Sequence, residues 1–561
     1  MMRVGNGEPG TGGAVAPIQR MVAIVVVLAA LLIVAFVPYL RSPLPVPGSP
    51  RPGVAPVTLP PFPALPDSTG WGVPVLSVSR DPAGTLWVGT YGQGIFRLKA
   101  GAKAWEQIRH DTTGTSISWD FVHAFAFGPR GEVWYGTVGN GWGLSRDDGA
   151  TWTNWTFSQL GPEWQYVAPD GIVTRGDSTW VATADGLQLT VDDGAHWTAF
   201  GDRSGPPARG PADTALALLG NEYVRRIGFD RQGVVIATLR GTERVRYGVA
   251  GWTSEPVGAG QVAFRPRNRV LIDGALWAGT ACGLRPVSDT LPCLRGLARG
   301  ADVPRAPRTT WFLRPIDRAD NPYIDQTYRY GSTMGGNFQQ HQGVEFNNPD
   351  GTRVLAIARG RVVYAGRAEQ GALTVAIRHD STVTGPGGLL RIYSVYYHNS
   401  ALRVKLGQQV AAGQEIAEVG NSGRATNDHM HLEVQAVPGD DAAHVVDSLE
   451  RFPPYTTNPE LWIEPLPGTG LVAGQVLDAS GQPIPQARVY GLVKLEPAET
   501  PFVYAETYGE HAHPHPLYNE NFAVGDVPPG TYTIGVEIAG RKVLRRVTVE
   551  PGLLTWVVFR P

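Results

Sequence analysis

Five side chains that can bind a metal ion or act on water beside it lie within one stretch of the chain. His341 and Glu345 lie in the segment HQGVE, His398 follows the aromatic run YSVYY, and His429 and His431 lie in HMHLE. Two histidines and one carboxylate are a ligand set of hydrolytic zinc enzymes, which leave a further position open for water. The residue types therefore predict a zinc site with water beside it.

The segments between these residues predict strands rather than helices. RVLAIARGRVVYAG and LTVAIRHD are rich in β-branched residues and are bounded by Gly, Asp or Asn, which is typical of strands joined by tight turns. Side chains two or four residues apart on a strand share a face. We therefore expect His341 and Glu345 to point the same way, and His429 and His431 to do so too. His379, in AIRHD, is interpreted as a surface histidine at a strand end.

The order of these motifs resembles the M23 family, the lysostaphin/LytM-type zinc endopeptidases of bacterial cell walls. That family has H-x-G-x-D, then Y-x-H, then G-x-x-V-x-x-G-Q-x-I-x-x-V-G, then H-L-H-F-E. This chain has HQGVE, YYH, GQQVAAGQEIAEVG and HMHLE in the same order. The resemblance covers about one fifth of the chain. It implies a peptidase domain with an antiparallel sheet at residues 310–464.

Carried over residue by residue, the resemblance implies one zinc ion held by His341, Glu345 and His431. It implies that His398 and His429 are catalytic and face water and substrate. Glu345 departs from the family, which usually has Asp; glutamate does bind zinc, but its extra methylene changes its reach. The implied reaction is hydrolysis of the peptide cross-links of peptidoglycan. The alternative is an inactive relative that binds the wall or activates another hydrolase.

The region from residue 71 to residue 301 contains a recurring phrase of strand, glycine turn and strand. Its central positions recur at intervals of 41 to 56 residues: Trp87, Trp134, Trp180, Ile236 and Trp277. Periods of this length with short strands are typical of propeller blades, so we predict a β-propeller of about five blades. Two repeats, at residues 145–152 and 190–197, carry S/T-x-D-x-G-x-x-W and resemble Asp-boxes, as in propellers of the two-component-regulator type.

Asp-boxes also occur in sialidases, so a propeller glycosidase is a further, weaker alternative. A sialidase needs an arginine cluster, a tyrosine nucleophile and an acid. The arginines of the repeats are interpreted instead as solvated surface: Arg225, Arg226, Arg240, Arg244 and Arg246. We expect the propeller to bind a partner, which the sequence does not identify, or to act as a spacer.

The N-terminal part predicts a membrane anchor. Residues 21–37 form an uncharged apolar run, near the minimum length for a bilayer span, that extends to residue 40, and no small-x-small cleavage site follows it. We predict a disordered cytoplasmic segment at residues 1–20 and a proline-rich linker at residues 41–70, with the catalytic part extracellular or periplasmic. The alternative is secretion after signal cleavage. The net charge of −2 gives no argument for nucleic acid.

The C-terminal part, residues 470–561, resembles carboxypeptidase-regulatory-like domains of the prealbumin type, through DASGQPIPQARV and VPPGTYT. We predict a small β-sandwich there, which makes the whole chain an all-β, multidomain protein. His511, His513 and His515 alternate in HAHPHP and could bind a metal, but the proline between them marks a loop, so a loop is favoured over a metal site. Cys282 and Cys293 are predicted to form a disulfide if this part lies outside the cell.

Overall fold

The computed structural model describes most of the chain from residue 62 onward: residues 62–160, 166–203, 212–258, 262, 264–289, 294, 305–307, 312–385, 387–425, 427–439, 444–446, 452–493 and 502–561. The predicted anchor at residues 21–40 and the segments that flank it up to residue 61 lie outside these residues. No helix among the described residues is long and apolar enough to cross a membrane. The described secondary structure is almost entirely β, as predicted.

Five small sheets occupy residues 75–286, and each is built from strands consecutive in sequence. The first contains β1 (Val75–Arg80), β2 (Leu86–Thr90), β3 (Ile95–Leu98) and β4 (Glu106–Ile108). The second contains β5 (Val122–Phe127), β6 (Val133–Thr137), β7 (Trp142–Ser145) and β8 (Thr153–Trp155), and the four-residue helix α1 (Phe157–Leu160) follows it.

The third sheet contains β9 (Val167–Arg175), β10 (Ser178–Thr183), β11 (Gly186–Thr190), β12 (Thr198–Asp202) and β13 (Thr214–Leu219). The fourth contains β14 (Val224–Phe229), β15 (Val234–Thr238), β16 (Gly241–Gly248) and β17 (Gly251–Val257). The fifth contains β18 (Arg269–Ile272), β19 (Ala275–Thr280) and β20 (Gly283–Pro286). Neighbouring strands are antiparallel, except that β12 and β13 are parallel.

The recurring central positions of the sequence repeats lie in the second strand of each sheet. All five side chains are buried: Trp87, Trp134, Trp180, Ile236 and Trp277. They are buried because alternate residues of each strand face the neighbouring sheet, where large rings exclude the most water. The number of sheets agrees with the number of repeats; their assignment to a propeller stays a prediction.

The two S/T-x-D-x-G-x-x-W motifs form hydrogen-bonded turns. Gly149 N donates to Ser145 Oγ at 2.8 Å, and Thr151 N donates to Asp147 Oδ1 at 2.9 Å. In the second motif Gly194 N donates to Thr190 Oγ1 at 2.7 Å. These side chains are used within their own turns, which agrees with a structural role. Cys282, farther along this region, is disulfide-bonded; Cys293 lies outside the described residues.

The central region, from residue 312, forms one nine-stranded sheet. It contains β22 (Val344–Asn347), β23 (Arg353–Leu355), β24 (Gly360–Arg367), β25 (Leu373–Gly385), β26 (Gly388–Leu402), β27 (Gln409–Val410), β28 (Glu415–Val419), β29 (His429–Pro438) and β30 (Thr456–Thr457); the earlier β21 (Arg305–Pro307) pairs elsewhere. Two short 3-10 helices cover Glu369–Gly371 and Pro459–Leu461. The main path runs β22, β29, β26, β25, β24, β27, so β29 and β26 lie inside the sheet.

The C-terminal region forms two four-stranded sheets over a common apolar core. It contains β31 (Gly470–Val476), β32 (Arg488–Tyr490), β33 (Tyr504–Glu506), β34 (Phe522–Val527), β35 (Gly530–Ile538), β36 (Arg541–Val549) and β37 (Leu553–Phe559). One sheet has the order β21, β37, β31, β34, and the other β33, β32, β35, β36. Val472, Phe522 and Val547 are fully buried between them. The prealbumin-type assignment stays a prediction.

His379 is not a surface residue, so that prediction was wrong. The side chain is 2% exposed, and its Nε2 lies 2.8 Å from Ser394 Oγ. Its burial lowers the pKa of the imidazole to about 4. β25 continues past His379 to Gly385, which places the residue inside the sheet rather than at a strand end.

A pair of acids, one of them buried, joins the repeat region and the central sheet. Glu222, between β13 and β14, hydrogen-bonds with Asp428, just before β29. Desolvation is the larger cause and the neighbouring Asp428 the second, and together they raise the pKa of Glu222 to about 8. A carboxyl whose pKa is raised on folding stabilises the fold below its ordinary pKa, and this stabilisation is lost as the pH rises toward 8. The quantity to compare is the free energy of unfolding of Glu222→Gln minus that of wild type. We expect this difference to be about 1–2 kcal/mol more positive at pH 9 than at pH 5.

Thermal unfolding of both proteins at pH 5 and pH 9 measures this difference. Exposed Glu537, in the C-terminal region, supplies the matched control Glu537→Gln, which should follow wild type at both values. Parallel pH dependence of wild type and Glu222→Gln would show that the acid pair does not couple the two regions.

Candidate metal centre

The register of the central sheet brings one predicted ligand opposite another. Glu345 on β22 pairs directly with His431 on β29, and His431 pairs on its other side with Tyr397 on β26. Directly opposite residues on neighbouring strands have their side chains on the same face of the sheet. His429 lies two residues before His431 on β29 and therefore shares this face, as predicted.

His341 reaches the same face from a loop, so the expectation that it lies on a strand with Glu345 was wrong. β22 begins only at Val344. His341 N donates to Ser332 O at 3.0 Å, and Gly331 N donates to His341 O at 2.9 Å. These two backbone hydrogen bonds hold His341 against the preceding loop. The Tyr328 ring stacks on its imidazole at 4.1 Å.

Three potential ligand atoms converge at the centre of this site. His341 Nε2 lies 3.2 Å from Glu345 Oε1 and 3.2 Å from His431 Nδ1, and ligand atoms of the three residues all lie within 4.8 Å of one another. Zinc holds nitrogen and oxygen ligands at about 2.0–2.2 Å, which places tetrahedral ligands about 3.3 Å apart. The spacing of these residues therefore fits a zinc ion, and the longer glutamate reaches the same point.

The surroundings of Glu345 and His431 favour the protonation states that bind a metal ion. Burial alone would raise the pKa of Glu345, but His429, His341 and His431 more than offset it, so the pKa lies well below its usual value. Burial and the neighbouring His341 hold the pKa of His431 well below its usual value. An ionised carboxylate and a neutral imidazole are the forms that bind a metal.

Glu433 lies behind His431 and had no role in the sequence analysis. Its Oε1 is 3.6 Å from His431 Nε2, and the carboxyl group is buried. Carboxylates placed behind metal-binding histidines orient the ring. The position of Glu433 fits an orientation of His431 that turns Nδ1 toward His341. The signal in the sequence is the last residue of HMHLE.

His398 reaches the site because its strand is irregular. Between Tyr396 and Asn399, β26 has one residue more than the paired segment of β25, which is a β-bulge. His398 has φ +64°, a left-handed conformation that breaks the alternation of side chains along the strand. Its ring centroid lies 4.7 Å from that of His429.

Backbone carbonyl groups orient both of these histidines. His398 Nδ1 lies 2.9 Å from Ser422 O, and His429 Nδ1 lies 2.9 Å from Asn427 O. A carbonyl oxygen only accepts, so each Nδ1 carries the hydrogen and each Nε2 keeps a free lone pair when the ring is neutral. His429 Nε2 lies 3.7 Å from Glu345 Oε1. Both rings can therefore accept a proton beside the three predicted ligands.

Gly343 leaves room for the His431 ring. A β-carbon on Gly343 would lie 2.4 Å from Leu432 O and 2.6 Å from His431 Nε2. We expect Gly343→Ala to destabilise the fold by about 1–3 kcal/mol and to weaken zinc binding, because the ring must move. Zinc titration and thermal unfolding measure both effects. Gly387→Ala is the control, since nothing lies within 4 Å of its β-carbon position; equal behaviour of the two variants would contradict this role of Gly343.

The site opens into a cleft of about 310 Å³. The cleft contains His341, Glu345, His398, His429 and His431, so the structure brings all five predicted residues together. Its other walls were not predicted: Trp119, Val138, Gly139 and Tyr166 from the repeat region, and Tyr328 and Phe338 from the loop before His341. The candidate metal site is therefore part of a cleft between two regions of the chain.

Comparison with known proteins agrees with this geometry. Residues 339–444 match the family model Peptidase family M23. The murein hydrolase activator NlpD of Escherichia coli is 33% identical over 107 residues, which are 19% of this chain and 24% of that protein. The outer membrane antigenic lipoprotein B of Histophilus somni is 38% identical over 98 residues, 17% of this chain and 25% of that protein. The chain thus spans about a quarter of the length of these relatives.

Among solved structures, the catalytic domain of lysostaphin from Staphylococcus simulans is 28% identical, covering 21% of this chain and 80% of that one with a TM-score of 0.17. The catalytic domain of the prophage-encoded M23 protein EnpA from Enterococcus faecalis is 26% identical, covering 24% of this chain and 89% of that one with a TM-score of 0.19. The segment matched by the family model holds all five residues of the site. The chain therefore contains a domain of peptidase family M23.

Proposed function

We propose that this protein is an extracytoplasmic zinc metalloendopeptidase that hydrolyses peptide bonds in peptidoglycan cross-links. The observation that carries the proposal is the convergence of three ligand atoms: His341 Nε2 lies 3.2 Å from both Glu345 Oε1 and His431 Nδ1. These atoms are the ligands for one zinc ion, as the M23 match supports. His398 and His429 are the catalytic residues beside it.

When bound, zinc lowers the pKa of a coordinated water toward about 7 and polarises a carbonyl group. The chain's own residues do the rest of the chemistry. One of the two Nε2 atoms, of His398 or His429, accepts a proton from the attacking water, and the other ring donates to the oxygen of the scissile carbonyl once protonated. Ser422 and Asn427 hold the two rings in place through their backbone carbonyl groups.

The position of the protein in the cell is part of this proposal. Residues 21–40 act as a single-pass anchor, and residues 41–70 act as a linker to the rest of the chain. The repeats at residues 71–301 act as a propeller that presents the peptidase domain, residues 310–464. The relatives named for the outer membrane and for murein support an envelope location.

A second candidate function follows from the names of the relatives. NlpD and EnvC of Escherichia coli, at 33% and 34% identity, are murein hydrolase activators. An activator role needs the fold of the domain but no working metal centre. The two functions therefore differ in whether zinc bound by this chain is required.

Exchange of Glu345 for aspartate separates them. If the site is built for the longer side chain, wild type binds one zinc ion and clears a suspension of purified wall, while Glu345→Asp binds zinc more weakly. If wild type holds no zinc and clears no wall, and Glu345→Asp restores zinc, the peptidase proposal fails. Stimulation of a separate murein hydrolase by the zinc-free wild type would then support the activator role.

A further inference from the structure

The cleft of the metal centre has one wall that lies outside the peptidase domain. Trp119, Val138 and Tyr166 come from the region of small sheets, and each lines the cleft together with the five site residues. Tyr328, Met334 and Phe338 from the loop before His341 pack against this wall or complete it. The substrate side of the metal centre is thus built by two regions of the chain.

A row of aromatic rings leads from the metal centre to this wall. The Tyr328 ring stacks on His341 at 4.1 Å, and the Phe338 ring follows at 5.6 Å from Tyr328. Trp119 meets Phe338 edge to face at 5.5 Å. The rings of Tyr328 and Phe338 lie between His341 and Trp119. The wall is therefore farther from His341 than a substrate bond placed at the metal centre would be.

The chemistry of the wall indicates what it binds. Phe338 is 43% exposed and Trp119 is half-buried, so their rings face the open cleft. Exposed polar groups, Gln339 and Arg424, line the same cleft. Aromatic faces with a few hydrogen-bonding groups suit a ligand with an apolar face and a polar edge. A pyranose ring has both, since its C–H face is apolar and its hydroxyl groups lie at the rim.

We propose that Trp119 and Tyr166 form a subsite for a sugar ring of the glycan strand, next to the peptide that is cleaved. This assignment rests on the proposed function, from which the identity of the substrate, peptidoglycan, is taken. It makes the small-sheet region part of the substrate-binding surface.

Calorimetric binding to the zinc-loaded full chain tests the subsite. The probes are an uncross-linked disaccharide–peptide fragment of peptidoglycan and the same peptide without sugars. We expect wild type to bind the disaccharide–peptide about tenfold more tightly, equal to about 1.4 kcal/mol. We expect Trp119→Leu, which keeps an apolar side chain but removes the ring, to lose this preference. Trp105→Leu is the control, because Trp105 packs elsewhere in the small-sheet region.

Equal binding of the two fragments by wild type would overturn the subsite. A preference that survives in Trp119→Leu, or is lost equally in Trp105→Leu, would also overturn it. Wall hydrolysis is measured separately on cross-linked wall. A protein that prefers the disaccharide–peptide but hydrolyses no wall would refute the peptidase proposal and leave the sugar subsite standing.

Glu506 is a buried carboxylate of the C-terminal sandwich that contacts the loop before His341. Glu506 lies on β33 and is 6% exposed. It accepts hydrogen bonds from Thr333 N at 2.6 Å, Ser332 Oγ at 2.9 Å and Gly335 N at 3.0 Å. Hydrogen bonds to an ionised carboxylate are among the strongest in proteins, so Glu506 fixes this loop firmly.

The loop that Glu506 holds is the one that carries His341. Ser332 O accepts from His341 N at 3.0 Å. At the other end, Gln340 Oε1 accepts from His511 N of the sandwich at 2.8 Å. The backbone of a predicted ligand is therefore held through contacts with residues that lie outside the segment matched by the family model.

We infer that Glu506 is a positioning residue for His341 and that the C-terminal sandwich completes the metal centre. The zinc part of this inference rests on the proposed function. Glu506 acts on His341 through Ser332, so we expect Glu506→Gln to weaken zinc binding by at most about tenfold, the lower end of the effect of losing a direct partner of a metal ligand. We also expect faster hydrogen exchange in residues 328–341 of the zinc-free protein, a readout that needs no metal.

Chelator competition, melting with and without zinc, and hydrogen exchange decide the inference. A positioning role reduces the rise in Tm that zinc causes, whereas a merely structural role lowers Tm equally with and without zinc. Glu537→Gln, an exposed carboxylate of the same sandwich, should leave all readouts unchanged. The inference is wrong if the two variants have the same zinc affinity and the same exchange. A wild type without zinc contradicts the proposed function, while exchange still tests Glu506.

Discussion

His341→Ala and His431→Ala should each reduce zinc affinity by more than about 100-fold. Loss of an outer-shell partner alone costs about 10–100-fold, and each of these variants removes one of three protein ligands. The two atoms concerned, His341 Nε2 and His431 Nδ1, lie 3.2 Å apart, so neither has a substitute at the same point. Zinc per chain after gel filtration measures the loss directly.

Thermal unfolding supplies a second readout for these ligand variants. Zinc bound to the native state raises Tm, so wild type should gain stability with zinc and both variants should gain little. His110→Ala is a matched control, since His110 is exposed and lies in the small-sheet region. If either ligand variant kept one zinc ion with wild-type affinity, the assigned ligand set would be incorrect.

His398→Ala and His429→Ala should keep zinc and lose turnover by about 10²–10⁴-fold, the usual contribution of a general acid or base. The reason is the orientation of their rings: each Nδ1 is held by a backbone carbonyl, so each Nε2 is left for the proton of the water or for the substrate. Hydrolysis of wall at saturating zinc, together with zinc stoichiometry, separates this effect from metal loss.

The two catalytic variants also test which ring accepts the proton. Of the two alanine variants, the one that removes the general base should lose more activity at neutral pH than the one that removes the ring stabilising the oxyanion. Loss of zinc from His429→Ala would place this residue among the ligands, because its Nε2 lies 3.7 Å from Glu345 Oε1.

The residue types of the site could be predicted from sequence, because a zinc centre needs specific donors. The shared face of His429 and His431 also followed from strand alternation, and the structure confirms it on β29. The same argument was wrong for His341, because alternation applies only within a strand and β22 begins after it. The bulge that turns His398 toward the site leaves no periodic signal, since one extra residue between two pairs does not change the composition of the strand.

The rest of the cleft depends on contacts between residues far apart in sequence. Trp119 meets Phe338, and Glu506 meets Ser332, across more than 170 residues in each case. Hydrophobic periodicity reports which residues are buried but not against which region they pack. His379 shows the same limit, because the strand that buries it continues past the Asp that seemed to end it. The membrane anchor and the propeller stay predictions.

Hydrolysis of wall peptide bonds by this chain is measured by counting the new α-amino groups released from purified, cross-linked wall. We expect zinc-loaded wild type to release new amino groups, a chelator to abolish the release, and added zinc to restore it. No new reducing sugar ends should form, because cleavage is at peptide bonds rather than in the glycan. Zinc-loaded protein that releases no amino groups, or that releases reducing ends instead, would contradict the assignment of this chain as a zinc endopeptidase.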